Sequence, residues 1–257
     1  MRDISRGLKL TVISASNNSI SGIEKLYTSL QSQTYTNWEW IVHDNDSDDG
    51  TFEFLSNISD DRVVFSSFKD QGIYHAFNIC LEKVTGQKII FLGTDDFLFD
   101  QDVFKCLVEF PDFFNRKFIC GIMMNYSVKN NRYFAVNDFS PINYNDYPGH
   151  AFPPFPSLFI EASVFKDYRF DEKNIYHSDL LFFYENLNNY EEISRINVVI
   201  SCMGDQGLTS DVKTRKKRIK EKYKIFKSIA SNKEIESIFG SFSIYTKLKI
   251  KLRYWLF

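Results

Sequence analysis

Two acidic runs in this sequence of 257 residues carry the residue types that chemistry needs. His43-Asp44-Asn45-Asp46 follows the apolar stretch Trp38–Val42, and Gly93-Thr94-Asp95-Asp96 follows Lys88–Leu92. Adjacent carboxylates repel one another unless a cation or hydrogen-bond donors neutralise them. Oxygen ligands beside a phosphate suit Mg2+ or Mn2+. A second reading fits the same spacing: Asp44–Asp49 as turn and cap residues, and Asp95-Asp96 as the cap of a following helix. The chain has no GxGxxG after a strand, no GxxxxGK[ST], no GxSxG and no HExxH. A dinucleotide site, a P-loop, a nucleophile elbow and a zinc-protease helix are therefore disfavoured, and a metal is the better candidate to handle any phosphate.

Both runs need elements to bring them together. Lys9–Ile13 reads as a strand, and Ile23, Leu26, Tyr27 and Leu30 fall at the spacing of an amphipathic helix. Trp38–Val42 is strand-like, Asp48-Asp49-Gly50-Thr51 is a turn and cap, and a short helix follows around Phe52–Leu55. Val63–Phe65 is a further strand. Ala76, Phe77, Cys80, Leu81 and Val84 share a helical face that ends at Gly86, and Lys88–Leu92 is a continuous apolar strand. Such alternation predicts an α/β fold, a mostly parallel central sheet with helices on both faces. Ligands of such sheets bind beyond the carboxyl ends of the strands, where both acidic runs fall.

All six prolines lie between Pro111 and Pro156, which marks an irregular, strand-rich middle segment suited to a binding loop. Residues 159–187 return to helix-like spacing. Phe110, Phe113, Phe114, Phe118, Phe134 and Phe139 read as packing, whereas Tyr74, Phe152 and Phe155 are candidates for a stacking platform. Cys80, Cys106, Cys120 and Cys202 form no CxxC pair, so free thiols in a reducing compartment are expected. The apolar stretch Leu10–Ile13 is too short for a signal-peptide core, and no apolar run approaches the ~20 residues of a membrane span.

Several ordered motifs resemble the family 2 inverting glycosyltransferases of the GT-A fold (Rossmann-like). Leu10–Asn17 is similar to that family's opening strand, Ser32-Gln33-Thr34-Tyr35 with Trp38-Glu39 to its S-Q-T-Y…W-E signature, and Asp44–Thr51 to D-D/N-x-S-x-D-G-T. Asp70–Asn78 resembles D-x-G-I-Y-D-A-x-N, and Thr85-Gly86 with Phe91–Asp96 resembles T-G-x-x-I-x-F-L-x-S-D-D. Ser157-Leu158-Phe159, Phe170-Asp171-Glu172 and Ser178-Asp179 resemble the acceptor half, so the likeness covers roughly 8–210.

The resemblance implies transfer of a sugar from a nucleotide-diphosphate sugar to a hydroxyl of a glycan or lipid-linked glycan, with inversion, in surface-polysaccharide synthesis. It assigns Asp44 to the nucleotide base with Ser14 and Asn17 nearby, and adds Gly72, Asn78 and Asp95 to the donor site. Asp95 and Asp96 stand where a metal-binding Asp-x-Asp motif ends, implying Mn2+ or Mg2+. Asp179 occupies the place of the general base. Gly93 stands where the first acid of Asp-x-Asp is usual, His75 where an Asp is common, and Phe155 where a His is often seen, with His150 nearby. Gly204–Ser210 resembles a loosened G-G-x-S segment. An inactive nucleotide-sugar-binding subunit and a sugar nucleotidyltransferase are the alternatives.

The domain expected is 1–212, with a nucleotide-sugar half (1–100) and an acceptor half (101–212), followed by a basic amphipathic tail, 213–257. The net charge of −2 hides a division: 14 Lys+Arg against 3 Asp+Glu in 213–257, and 17 against 30 before it. Ile219, Tyr223 and Phe226 lie opposite the tail's cations, and the chain ends in Trp255-Leu256-Phe257. This pattern predicts contact with an anionic membrane surface rather than nucleic acid, and a cytoplasmic protein peripheral on the inner face of the cytoplasmic membrane.

Overall fold

Three strands of the first hundred residues, Leu10–Ser16, Trp38–Asp44 and Lys88–Phe91, are buried almost throughout, with successive side chains sent to opposite faces of a central sheet. In β1 (Leu10–Ser16), Leu10 and Val12 enter one core and Ile13 the other. In β2 (Trp38–Asp44), Trp38, Trp40 and Val42 share the first core and Ile41 the second. β4 (Lys88–Phe91) divides the same way, Ile90 against Ile89 and Phe91. Opposite faces for successive side chains are the pleat's own period. This computed structural model describes residues 7–127, 129–138, 152–187, 192–205 and 212–230.

The helices fill the two faces. α1 (Ile20–Gln31) buries Ile23, Leu26, Tyr27 and Leu30, the four positions its spacing singles out. With α2 (Thr51–Ser56) and α4 (Val103–Val108) it covers one face. α3 (Ile73–Leu81) and α5 (Ser178–Asn186) cover the other, where Phe77, Phe91, Phe170 and Phe182 form a ring cluster.

The nine-stranded sheet runs in the order β3 (Val63–Ser67), β2, β1, β4, β8 (Leu158–Glu161), β6 (Phe118–Ser127), β9 (Ile193–Gly204), β5 (Asp96–Leu98), with β7 (Arg132–Asp138) also on β6. β3, β2, β1 and β4 are mutually parallel, in a register that sets Ser16, Asp44 and Ser67 level at one sheet edge. Beyond β4 the sheet becomes mixed. β8 is antiparallel to both β4 and β6, and β7 is antiparallel to β6. β9 runs parallel to β6 and antiparallel to the short β5. The sheet is therefore continuous across residue 100. The helical spacing read in 159–187 holds only for α5; the start of that region is β8 and a 3-10 turn, Ala162–Phe165.

The aromatic assignments divide. Phe113 and Phe118 are buried and Phe110 and Phe114 half-buried, as expected of packing, but Phe134 is 57% exposed. Phe139 and His150 lie outside the described residues. Of the platform candidates, Phe152 and Phe155 are half-buried. Tyr74 is buried, Phe152 stacks on Phe183 at 4.6 Å, and Phe155 packs against Phe91, Phe170, Phe182 and Phe183.

α6 (Arg215–Ala230) begins the basic segment and packs onto α5: Ile225 is buried against Leu180 and Tyr184. Ile219 and Tyr223 are only half-buried, while Lys213, Arg215, Lys216, Lys217, Lys220, Lys224 and Lys227 are exposed. No helix among the described residues is long and apolar enough to cross a membrane. Residues 231–257 lie outside the described residues.

Candidate active site

The loop after β2 is tied by its own polar side chains. Asp44 is fully buried, and its carboxylate accepts from Ser47 N at 2.9 Å, Ser47 Oγ at 2.5 Å and Ser67 Oγ at 3.0 Å. Asp49 accepts from Ile20 N and from Thr51 N, each at 3.0 Å, and so closes the first turns of α1 and α2. Asn18 N donates to Ser47 Oγ at 2.8 Å. Asp44 thus shapes the loop from inside, while Asn17 and Asp46 are exposed at its rim. Ser14 is buried and accepts from Trp40 Nε1 at 3.0 Å. His43 beneath the loop is held below the usual histidine range by burial, so it is neutral at pH 7; its Nδ1 lies 3.1 Å from Ser66 Oγ.

The Trp38-Glu39 motif has a structural role. Glu39 is buried and accepts from Thr11 Oγ1 (2.7 Å), Thr85 N (2.7 Å), Thr85 Oγ1 (2.5 Å), Gly86 N (3.0 Å) and Lys9 Nζ (2.6 Å). Burial alone would raise its pKa, but these bonds win and lower it. A Cβ on Gly86 would stand 2.4 Å from Thr11 Oγ1, so that turn is closed to a side chain.

The second acidic run is held by close approach. A Cβ placed on Gly93 would lie 3.1 Å from both Asp95 Oδ1 and Asp96 Oδ2, so both carboxylates reach the space that glycine leaves. Gly204, at the end of β9, donates its N–H to Asp95 O at 3.1 Å, and a Cβ there would meet Asp95 O at 2.7 Å. On the other side, a Cβ on Gly22 of α1 would come within 2.1 Å of Thr94 O. Gly93 within the turn, Gly22 of α1 and Gly204 of β9 thus crowd together here. Gly22 escaped the sequence reading, although a glycine inside a helix is itself a signal of close packing.

Asp96 is buried, and its Oδ2 accepts from Gly93 N at 2.7 Å. Its Oδ1 is buried with no hydrogen-bond partner among the described residues. Burial, then the charge of Asp95, pushes the Asp96 carboxyl well above the usual carboxylate range. A buried oxygen without a partner beside a second carboxylate fits a hard divalent cation. Among the described residues no three His, Cys, Asp or Glu side chains converge as a complete cage. Asp95 and Asp96 could thus supply only part of a coordination shell, as befits Mg2+ or Mn2+ shared with substrate phosphates.

Asp179 sits in the first turn of α5, away from the acidic run in sequence. Tyr74, from the start of α3, donates its hydroxyl to Asp179 Oδ1 at 3.0 Å, and Leu180 N donates to the same oxygen at 2.8 Å. Burial raises the Asp179 pKa above the ordinary 3.8, against the lowering effects of Tyr74, Leu180 N and the Lys222 cation. Gly72 sets the entry to α3 at φ +124°, with its N–H on Asp70 Oδ1 at 2.7 Å, and His75 Nδ1 accepts from Gln71 N at 3.0 Å. Asn78 is committed elsewhere. It accepts from Phe170 N and donates to Phe170 O, both at 2.9 Å, and donates to Glu172 Oε1 at 2.8 Å. It therefore ties α3 to the segment Phe170–Glu172 and borders an open cleft of about 630 Å³ that includes Arg169–Lys173 but neither acidic centre.

Strand ends bearing an acidic turn, in a mixed sheet covered on both faces, define a GT-A-type glycosyltransferase fold. The chain belongs to the glycosyl transferase family 2, whose family model matches residues 11–175. An uncharacterised glycosyltransferase of Haemophilus influenzae is 31% identical over 62% of this chain and 64% of its own length. The Escherichia coli UDP-Glc:alpha-D-GlcNAc-diphosphoundecaprenol beta-1,3-glucosyltransferase WfgD is 34% identical over 34% of this chain and 35% of its own. The chain thus spans less than two thirds of these relatives. In structure it is similar to S. aureus TarS 1-349, with a TM-score of 0.67 at 19% identity over 96% of this chain and 71% of that one. It is also similar to the mannosyltransferase PcManGT of Pyrobaculum calidifontis in complex with GDP-Man and Mn2+, with a TM-score of 0.64 at 14% identity over 95% and 71%.

Proposed function

We propose that this chain transfers a sugar from a nucleoside-diphosphate sugar to a hydroxyl of a glycan or lipid-linked glycan, with inversion, in assembly of a surface polysaccharide. The observation that carries the reading is the Asp95–Asp96 turn, with a buried carboxylate oxygen lacking a partner at the strand ends. In the reaction the acceptor oxygen attacks the anomeric carbon as the bond to the diphosphate oxygen breaks. Asp179 takes the hydroxyl proton, and the nucleoside diphosphate leaves with the bonding electrons. A carboxylate with a raised pKa is the more effective base once ionised. A divalent cation held by Asp95 and Asp96 would supply positive charge for the leaving diphosphate.

In this reading the strand-end loops form the nucleotide site: Asn17 at the exposed rim, Ser14 and Asp44 from behind, and Gly72 at the mouth of α3. Asn78 contributes by holding the acceptor segment. A Cβ on Gly93 would stand in tight contact, 3.1 Å, with an oxygen of each remaining carboxylate, so glycine leaves both of them room. The nearby relative that acts on a diphosphoundecaprenol-linked sugar supports a lipid-linked acceptor. The exposed cations of α6 support contact with an anionic membrane surface on the cytoplasmic side.

The test is sugar transfer or donor hydrolysis with UDP-glucose, UDP-N-acetylglucosamine and GDP-mannose, with and without Mn2+ or Mg2+. Asp95→Ala and Asp179→Ala should each lower turnover about 10²- to 10⁴-fold. Full activity in either would overturn the site assignment.

A further inference from the structure

Glu221, in the second turn of α6, does something no surface helix requires. Its Oε2 accepts from Ile175 N at 2.9 Å, and its Oε1 accepts from Tyr176 N at 2.6 Å and His177 N at 2.8 Å. One carboxylate thus holds three successive backbone N–H groups. These are the last three residues before α5, whose first turn carries Asp179. Unpaired N–H groups at a helix entrance carry partial positive charge, which a carboxylate complements. Glu221 and Lys222 are followed by Ile225 one turn later, so one side of α6 supplies the clamp, a cation within electrostatic reach of Asp179, and the buried anchor against Leu180 and Tyr184.

Tyr74 holds Asp179 from the α3 side. α6 fixes the segment that delivers Asp179 from the other. We propose that Glu221 is a positioning residue for Asp179, and that α6 is part of the transferring unit rather than the start of a detachable basic tail. This rests on the reading of Asp179 as the base. The clamp sets the direction in which the chain enters α5, and hence the placement of the Asp179 carboxylate against the acceptor hydroxyl. A displacement of about 1 Å in such a group can cost on the order of 10²-fold in rate.

The experiment compares Glu221→Ala, Glu221→Gln and Asp179→Asn in the full chain. Amide hydrogen exchange is followed at residues 175–177, and kcat and donor KM are measured with whichever of UDP-glucose, UDP-N-acetylglucosamine or GDP-mannose the unaltered chain turns over fastest. In Glu221→Ala, exchange at 175–177 should accelerate, and kcat should fall roughly 10- to 100-fold with donor KM unchanged. Glu221→Gln keeps an acceptor oxygen for Tyr176 and His177 and should restore most of both. Unchanged exchange in Glu221→Ala overturns the clamp, whatever the activity. A kcat within about twofold of the unaltered chain, or an equal loss of donor binding, overturns the positioning role. Full turnover by Asp179→Asn instead overturns the base assignment and leaves the exchange result to judge the clamp.

Discussion

The two acidic centres are held by different means. Asp96 takes its one hydrogen bond from Gly93, three residues away, and Asp44 takes two of its three from Ser47. Their loops are largely self-tied, and glycines let the surrounding backbone close in. Asp179 takes local bonds from Leu180 N and its own backbone; the rest of its setting comes from Tyr74, 105 residues earlier, and from α6, which holds the residues just before it. The carboxylates of the first kind take their bonds largely within their loops, while Gly22 of α1 and Gly204 of β9 close on the backbone of the Asp95–Asp96 turn. The carboxylate of Asp179 is set by two helices distant from it in sequence.

The sharpest way to break that contrast is at Gly22. Gly22→Ala places a Cβ against the Thr94 carbonyl, where backbone rather than a flexible side chain must yield. The expected cost is about 1–3 kcal/mol in urea unfolding, with weakened Mn2+ binding and the Tyr74–Asp179 pair left intact. Normal Mn2+ affinity would show that the acidic turn is not held by close approach.

A second effect should fall on the other centre alone. In the proposed reaction Asp179 must be ionised to accept a proton, and burial raises its pKa above 3.8, so kcat/KM should rise with pH through that raised value. Lys222 holds the pKa down, so Lys222→Met should move this acid limb to higher pH without altering donor binding. An unmoved limb would separate Lys222 from Asp179.

The smallest effect concerns how α6 is seated. His177 is pushed down to about 4, first by burial and then by the cations of Lys222 and Arg218. The folded state therefore favours neutral imidazole. The stability this contributes is complete above about 6.5 and is lost as pH falls from there towards about 4. Melting temperature should decline through that window, and His177→Gln should flatten the decline; the same slope in both proteins would remove His177 from the account.

The first half of the fold was legible because its strands and helices are patterned locally. The burial of Ile23, Leu26, Tyr27 and Leu30 follows from their helical spacing, and the full burial of β4 from its unbroken apolar run. β9 escaped because its pairing with β6 shifts register twice, around Ile122, so that its twelve residues show no steady period of two. The acidic runs were legible as chemistry but not as geometry: nothing in the sequence distinguishes Asp44, turned inward onto two serines, from Asp96, left with an oxygen unmatched. Glu221 was illegible for another reason. Its partners are backbone amides, which leave no trace in side-chain pattern, and charge alone placed it in a basic tail.

The pairing of β5 with β9 bears on how such enzymes can be recombined. Asp96 opens β5 and lies opposite Met203, so β9 forms a wall of the acidic turn. A hybrid that joined the first hundred residues of this chain to the remainder of a relative would give Asp96 a foreign neighbour. Exchange of acceptor preference by grafting should therefore carry residues 93–98 together with 193–204 as one cassette, although the two segments lie far apart in the gene.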